Sequence, residues 1–70
     1  MDAELQNTHG IISGGLMKLV GTAPTMDTLG SIQIGIESAE KLGAHGDLLM
    51  VGTKPHANGT STVSLIKRTN

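Results

Sequence analysis

The 70-residue sequence predicts an α+β fold in one small domain spanning residues 1–70. Two observations predict this class. An apolar helical period runs over residues 25–42, and the turn dipeptide Asn58-Gly59 separates two segments rich in Leu, Val, Ile and Thr. The expected order is therefore one amphipathic helix followed by a C-terminal β-hairpin, with strands at about 47–54 and 61–68.

The chain before residue 22 is less regular. Residues 1–9 are mostly polar and show no period, so we interpret them as a flexible or partner-bound arm. In segment 10–21, Ile12, Leu16 and Leu19 have helical spacing, whereas the run at 16–20 would also suit a strand. We expect a helix here from this spacing, and we keep a strand as the alternative because four glycines in or beside the segment disfavour a helix interior.

The helix at 25–42 has recognisable ends. Pro24 moves its predecessor out of the helical region, and Thr25 can cap the amides that follow. Gly43 is placed to end the helix in a left-handed conformation. The apolar side chains expected to form the packing face lie three or four residues apart: Met26, Leu29, Ile32, Ile36, Ala39 and Leu42. The competing interpretation is a strand over 31–38, where apolar and polar residues mostly alternate.

The first strand of the C-terminal hairpin indicates that the sheet is covered on both faces. A two-residue turn at Asn58-Gly59 would place Val51 opposite Ile66, although Pro55 can lengthen the loop and shift this register. A strand with one face in water alternates apolar and polar residues, but residues 48–51 are four apolar residues in a row. We therefore expect this strand to be covered on both faces, by the helix on one and by the N-terminal segment or another subunit on the other.

The predicted partner interface follows from this argument. It combines the apolar run, its partners on the last strand, and one isoleucine on the side of the helix opposite the packing face. Its residues are Ile34, Leu48, Leu49, Met50, Val51, Leu65 and Ile66.

Composition narrows the ways in which so small a chain can be stable. It has no cysteine and no Phe, Tyr or Trp. A domain of this size buries only about 60% of the surface that its unfolded chain exposes, and small domains compensate with disulfides, metals or oligomerisation. Because the absence of cysteine excludes disulfides and the commonest zinc sites, we expect association with copies of itself or with other protein subunits.

The sequence gives no indication of other partners. A formal net charge of −1 and the lack of aromatic residues argue against nucleic acid. No apolar run approaches the roughly 18 to 20 residues of a membrane span. The acidic N-terminus does not resemble a signal peptide. We expect the protein in the cytoplasm or within an intracellularly assembled particle.

Catalytic and ligand-binding motifs were not found. His9, His45 and His56 do not share a helical or strand spacing, and each adjoins Gly or Pro, so we expect solvated loop histidines and no metal site. No nucleophile elbow or phosphate-binding glycine loop is present, so no catalytic residue or cofactor is expected. The sequence predicts a non-catalytic structural subunit of an assembly, such as a shell, sheath or scaffold component.

Two other functions stay open. The first is a regulatory or adaptor module that binds a different protein through the hairpin edge or the helix. The second is an enzyme whose site forms only between identical subunits.

Overall fold

The computed structural model describes residues 4–70 and contains two hairpins separated by one helix. The elements are β1 (Gln6–Ser13), β2 (Leu16–Ala23), α1 (Thr28–Lys41), β3 (Leu48–Pro55) and β4 (Ser61–Arg68). The strands form one antiparallel sheet in the order β1-β2-β4-β3. The α+β class, the helix and the C-terminal hairpin are confirmed, but strands flank the helix on both sides in the chain.

The N-terminal hairpin corrects the helix expected over residues 10–21. Gly14 and Gly15 both have positive φ, at 60° and 77°. Two consecutive positive φ values are what a two-residue hairpin turn of type I′ requires, and glycine adopts them without strain. Ser13 and Leu16 pair across this turn, and β2 then alternates between covered and exposed residues as a strand does. The strand alternative was therefore the right one.

The segment predicted as an arm lies partly within this sheet. Residues 1–3 fall outside the described residues, and residues 6–9 belong to β1. Leu5 is buried, and its amide donates a hydrogen bond of 3.0 Å to the Ser38 hydroxyl on the helix. Glu4 forms an ion pair of 3.1 Å with Lys41. The chain just before β1 is thus attached to the helix by three kinds of contact.

The helix begins at Thr28 rather than at residue 25. Its N-cap is Asp27, whose carboxylate accepts a hydrogen bond of 2.7 Å from the Gly30 amide. Thr25 does not cap the helix; its hydroxyl accepts from the Asp27 amide at 3.1 Å. At the other end Gly43 has φ 108°, as the predicted left-handed ending requires.

The face of the helix that packs on the sheet is not the predicted apolar one. The buried helix residues are Ser31, Gly35, Ser38 and Ala39. Only Ala39 belongs to the predicted face, and Leu29 is 79% exposed. The reason is close approach: a Cβ atom at Gly35 would lie 2.8 Å from Cγ1 of Val63 in β4. Large side chains do not fit between helix and sheet here, whereas Ile34 at the margin is half-buried against the core.

The core lies between the helix and one face of the sheet, and it is small. Its buried apolar residues are Leu5, Met17, Leu19, Ala23, Ala39, Ala44, Val63 and Leu65. Three of these eight are alanines, which bury little area. The core therefore leaves the chain a narrow margin of stability, as its length and composition predict.

One charged side chain is buried beside this core. Lys67 is 3% exposed, and its ammonium donates hydrogen bonds to the Ala44 carbonyl at 2.8 Å and the Gly46 carbonyl at 2.6 Å. The Glu40 carboxylate lies 3.8 Å away. Lys67 thus connects β4 to the segment that joins the helix to β3.

The C-terminal hairpin turns at Asn58-Gly59, but its register differs from the predicted one. The amide of His56 donates to the Thr60 carbonyl at 2.8 Å, and Gly59 has φ 89°. The hydrogen bond between His56 and Thr60 encloses a three-residue loop, 57–59, rather than a two-residue turn. Val51 consequently faces Leu65 and not Ile66. This shift of one residue places Val51 on the helix side of the sheet.

Candidate interaction surface

The second face of the sheet has nothing packed on it within residues 4–70. On β4, Val63, Leu65 and Lys67 are buried towards the helix, so the residues between them project from the opposite face. The same alternation holds on β2. We call this second face the open sheet face; its central residues are Ile11, Lys18, Val20, Met50, Ser64 and Ile66.

The strand register aligns apolar side chains in a row across the open sheet face. Ile11 pairs with Lys18, Lys18 with Ile66, and Ile66 with Met50, so the row crosses all four strands. Residues paired in this way have Cβ atoms about 5 Å apart. Ile11 is 67% exposed and Met50 is 64% exposed. The row is therefore a continuous band in which three of four side chains are apolar; Ile11, Lys18 and Met50 are exposed, and Ile66 is half-buried.

A groove follows the middle of this face. It has a volume of about 400 Å³ and runs over β4 between β2 and β3, with Lys18, Val20, Met50 and Ile66 among its lining residues. Gly52 contributes to its depth, because no atom lies within 4 Å of the place where a Cβ would project. The face is thus recessed at its centre and can accept side chains from an opposing surface.

The open sheet face is also positively charged. None of the four strands contains Asp or Glu. Lys18, Lys54 and Arg68 project from this face by their register, whereas Lys67 points towards the helix. The helix on the other side carries Glu37, Glu40 and Lys41, of which Glu40 lies 3.8 Å from Lys67 and Lys41 pairs with Glu4. The open sheet face is therefore cationic, whereas the helix side carries both signs with carboxylates in excess.

A bulge explains part of the four-residue apolar run in β3. The register shifts between Leu48 and Met50, which makes Leu49 an extra residue relative to β4. Leu48 and Val51 both pack against the core, while Leu49 and Met50 are exposed. The bulge therefore interrupts the alternation of side chains between the two faces of β3. Within the apolar run, the two residues without cover are Leu49 and Met50.

The structure distributes the seven predicted interface residues over two environments. Leu65 is buried in the core, and Ile34, Leu48 and Val51 are half-buried against it. Leu49 and Met50 are exposed, and Ile66 is half-buried on the open sheet face. The N-terminal segment, which was one expected cover for β3, instead extends the sheet through β1 and β2.

Three residues of the open sheet face were missed by sequence reasoning. Ile11, Lys18 and Val20 lie in the segment for which a helix was expected. The signal that identifies them is the Gly14-Gly15 pair between two apolar runs, which is a hairpin turn dipeptide. Once that hairpin is recognised, alternation assigns all three residues to one face.

Among residues 4–70 no group of three or more His, Cys, Asp or Glu is arranged to hold a metal ion. His56 contacts the Thr62 hydroxyl at 2.7 Å, and His9 and His45 are exposed. The one described helix is too short and too polar to cross a membrane.

Comparison with known proteins gives no relative for this chain. No protein-family model matches it, and neither the curated proteins nor the solved structures contain a significant match.

Proposed function

We propose that this chain is a non-catalytic structural subunit that associates with copies of itself through the open sheet face, in an assembly formed in the cytoplasm. The observation that carries the proposal is the uncovered row across the sheet, in which Ile11, Ile66 and Met50 project towards solvent. Burying these side chains would supply apolar contact that the alanine-rich core lacks.

The dimensions of the face are sufficient for a specific contact. Four strands spaced about 4.8 Å apart, each of eight residues rising about 3.3 Å, cover roughly 19 by 26 Å. This amounts to on the order of 500 Å² per subunit, or about 1,000 Å² for two opposed surfaces. Specific interfaces begin near that total area. Association through the open sheet face is therefore reasonable in size, at the weaker end of stable contacts.

A pair of matched substitutions tests the proposal. Met50→Lys places a charge in the row on the open sheet face, whereas Leu42→Lys places one at an apolar residue 53% exposed on the helix side. We expect sedimentation velocity to show that Met50→Lys reduces self-association at least tenfold while Leu42→Lys leaves it unchanged. Circular dichroism verifies that both variants stay folded. Equal effects of the two substitutions, or an effect of Leu42→Lys alone, would reject the open sheet face as the contact surface.

An adaptor function is the second candidate, and the exposed edge of the sheet supports it. Every residue of β1 is exposed, and among residues 4–70 β1 pairs with β2 alone, so its outer edge can accept a strand from another protein. A partner of different sequence that stays bound through purification, together with a purified chain that remains monomeric, would favour this function over self-assembly.

A further inference from the structure

We propose that the open sheet face is covered by the outer side of α1 from a second copy, so that subunits associate head to tail. This inference rests on the proposed function and specifies the surface that meets the sheet. The outer helix stripe consists of Leu29, Ile32 and Ile36, the large apolar residues that the sequence predicts for the packing face but that the helix does not place on its own sheet.

The outer helix stripe is apolar and lies on the flank of the helix, outside the packed core. At 100° per residue, its three side chains lie roughly 60° to 120° from Gly35, which is near the centre of the buried face. Leu29 is 79% exposed, and Ile32 and Ile36 are half-buried. The spacing of three and four residues makes them one continuous ridge. A helix with small residues on its inner side and large apolar residues on its outer side has a second surface available for packing.

Charge favours the helix over a second sheet as the occupant. Glu37 and Glu40 border the outer helix stripe; the Glu40 carboxylate lies 3.8 Å from the Lys67 ammonium of its own chain, but its side chain stays 46% exposed. The open sheet face presents Lys18, Lys54 and Arg68, with no carboxylate in any strand. Two sheet faces stacked on each other would oppose like charges, whereas a helix on the sheet brings opposite charges together.

The shapes also agree. The 14 residues of α1 give a helix about 21 Å long and about 10 Å wide, which fits on a face of roughly 19 by 26 Å and covers somewhat less than half of it. The arrangement repeats on the open sheet face the helix-on-sheet packing that each chain already has on its other face. Because each added copy brings one free helix and one free sheet face, association continues until a ring closes or a filament forms.

Mixing two complementary variants tests the head-to-tail contact. Met50→Lys disables the sheet face and keeps the helix, whereas Leu29→Lys disables the helix stripe and keeps the sheet face. We expect each variant alone to sediment as a monomer. An equimolar mixture is expected to form a dimer of twice the 7.2 kDa chain mass, through the one intact sheet and the one intact helix. Circular dichroism of each variant verifies that both are folded.

The outcomes separate this inference from the proposed function. If Leu29→Lys alone associates as the unmodified chain does, while Met50→Lys stays monomeric both alone and in the mixture, sheets pack on sheets and only the head-to-tail inference fails. If the unmodified chain itself stays monomeric, the proposed function fails with it.

Ionic strength gives a second and independent measure. Raising the salt concentration from about 50 mM to about 500 mM is expected to weaken association of the unmodified chain roughly tenfold, because it screens pairs of opposite charge. Salt would strengthen a contact between two cationic sheet faces, and that result would overturn the inference.

Discussion

At the scale of single residues, Gly35 decides how closely the helix approaches the sheet. A Cβ at this position would lie 2.8 Å from Cγ1 of Val63 and 3.2 Å from Cδ2 of Leu65. Val63 is β-branched and stiff at χ1, so it has little freedom to move away. The absence of a side chain at Gly35 is therefore a packing requirement of the helix and sheet interface.

We predict that Gly35→Ala destabilises the protein although alanine favours helix formation. The gain in helix propensity of about 1 kcal/mol is smaller than the cost of overpacking, about 1 to 3 kcal/mol, so the net loss is on the order of 1 kcal/mol. Urea denaturation at low protein concentration measures it. Gly52→Ala is the matched control, since a Cβ there meets no atom within 4 Å. A Gly35→Ala variant as stable as the control would show that the helix does not depend on this approach.

The small residues of the helix also show why its packing face could not be predicted from the sequence. The hydrophobic period correctly placed a helix near residues 25–42, but it assigned the inner side to the largest apolar residues. Burial instead follows Ser31, Gly35 and Ser38, because the sheet approaches the helix too closely for Leu29 or Ile36. Periodicity identifies a helix from the sequence alone, whereas the choice between its two apolar sides depends on the surface it meets.

At the scale of elements, Lys67 connects the last strand to the segment after the helix. Its buried ammonium donates hydrogen bonds to the Ala44 and Gly46 carbonyls. Removing one partner of a buried hydrogen bond leaves the other unsatisfied and costs about 1 to 3 kcal/mol.

We predict that Lys67→Met, which keeps the length of the side chain, lowers the free energy of unfolding by about 2 kcal/mol. Thermal or urea unfolding measures the loss. The same substitution at exposed Lys54 is the control and is expected to change stability by less than about 0.5 kcal/mol. Equal effects at the two positions would mean that the buried ammonium contributes nothing specific.

The two hairpins differ in how well the sequence predicts them. The C-terminal strands were located to within one residue because Asn58-Gly59 lies between strongly β-forming segments. Their register was wrong by one residue, since hydrogen bonds at His56 close a three-residue loop. The N-terminal hairpin was missed because helical spacing of Ile12, Leu16 and Leu19 competed with the turn at Gly14-Gly15. Side-chain period alone does not resolve short apolar runs of this kind.

At the scale of the whole molecule, residues 4–70 form two layers, a helix and a sheet, and none of these residues covers the second face of the sheet. The helix and its carboxylates occupy one side, and the open sheet face with Lys18, Lys54 and Arg68 occupies the other. The sequence predicted that β3 would need cover beyond the helix, but it could not assign Val20 or Ile11 to the same surface without the first hairpin. The candidate surface depends on the pairing register, which aligns its residues across the four strands.

The proposed assembly follows from this unequal distribution. A small alanine-rich core, an exposed apolar row and opposite charges on the two sides all favour contact between copies of the chain. A single head-to-tail contact would bury the exposed apolar row, add apolar burial to the small core and bring the opposite charges together.

The mass of the unmodified chain in solution is the most direct test of the central claim, that the open sheet face is covered by another copy. Sedimentation velocity over a series of concentrations in low salt would measure it. We predict that the weight-average mass rises above the 7.2 kDa of one chain as the concentration increases through the micromolar range. A folded protein that sediments at 7.2 kDa at every concentration up to the millimolar range would contradict the claim.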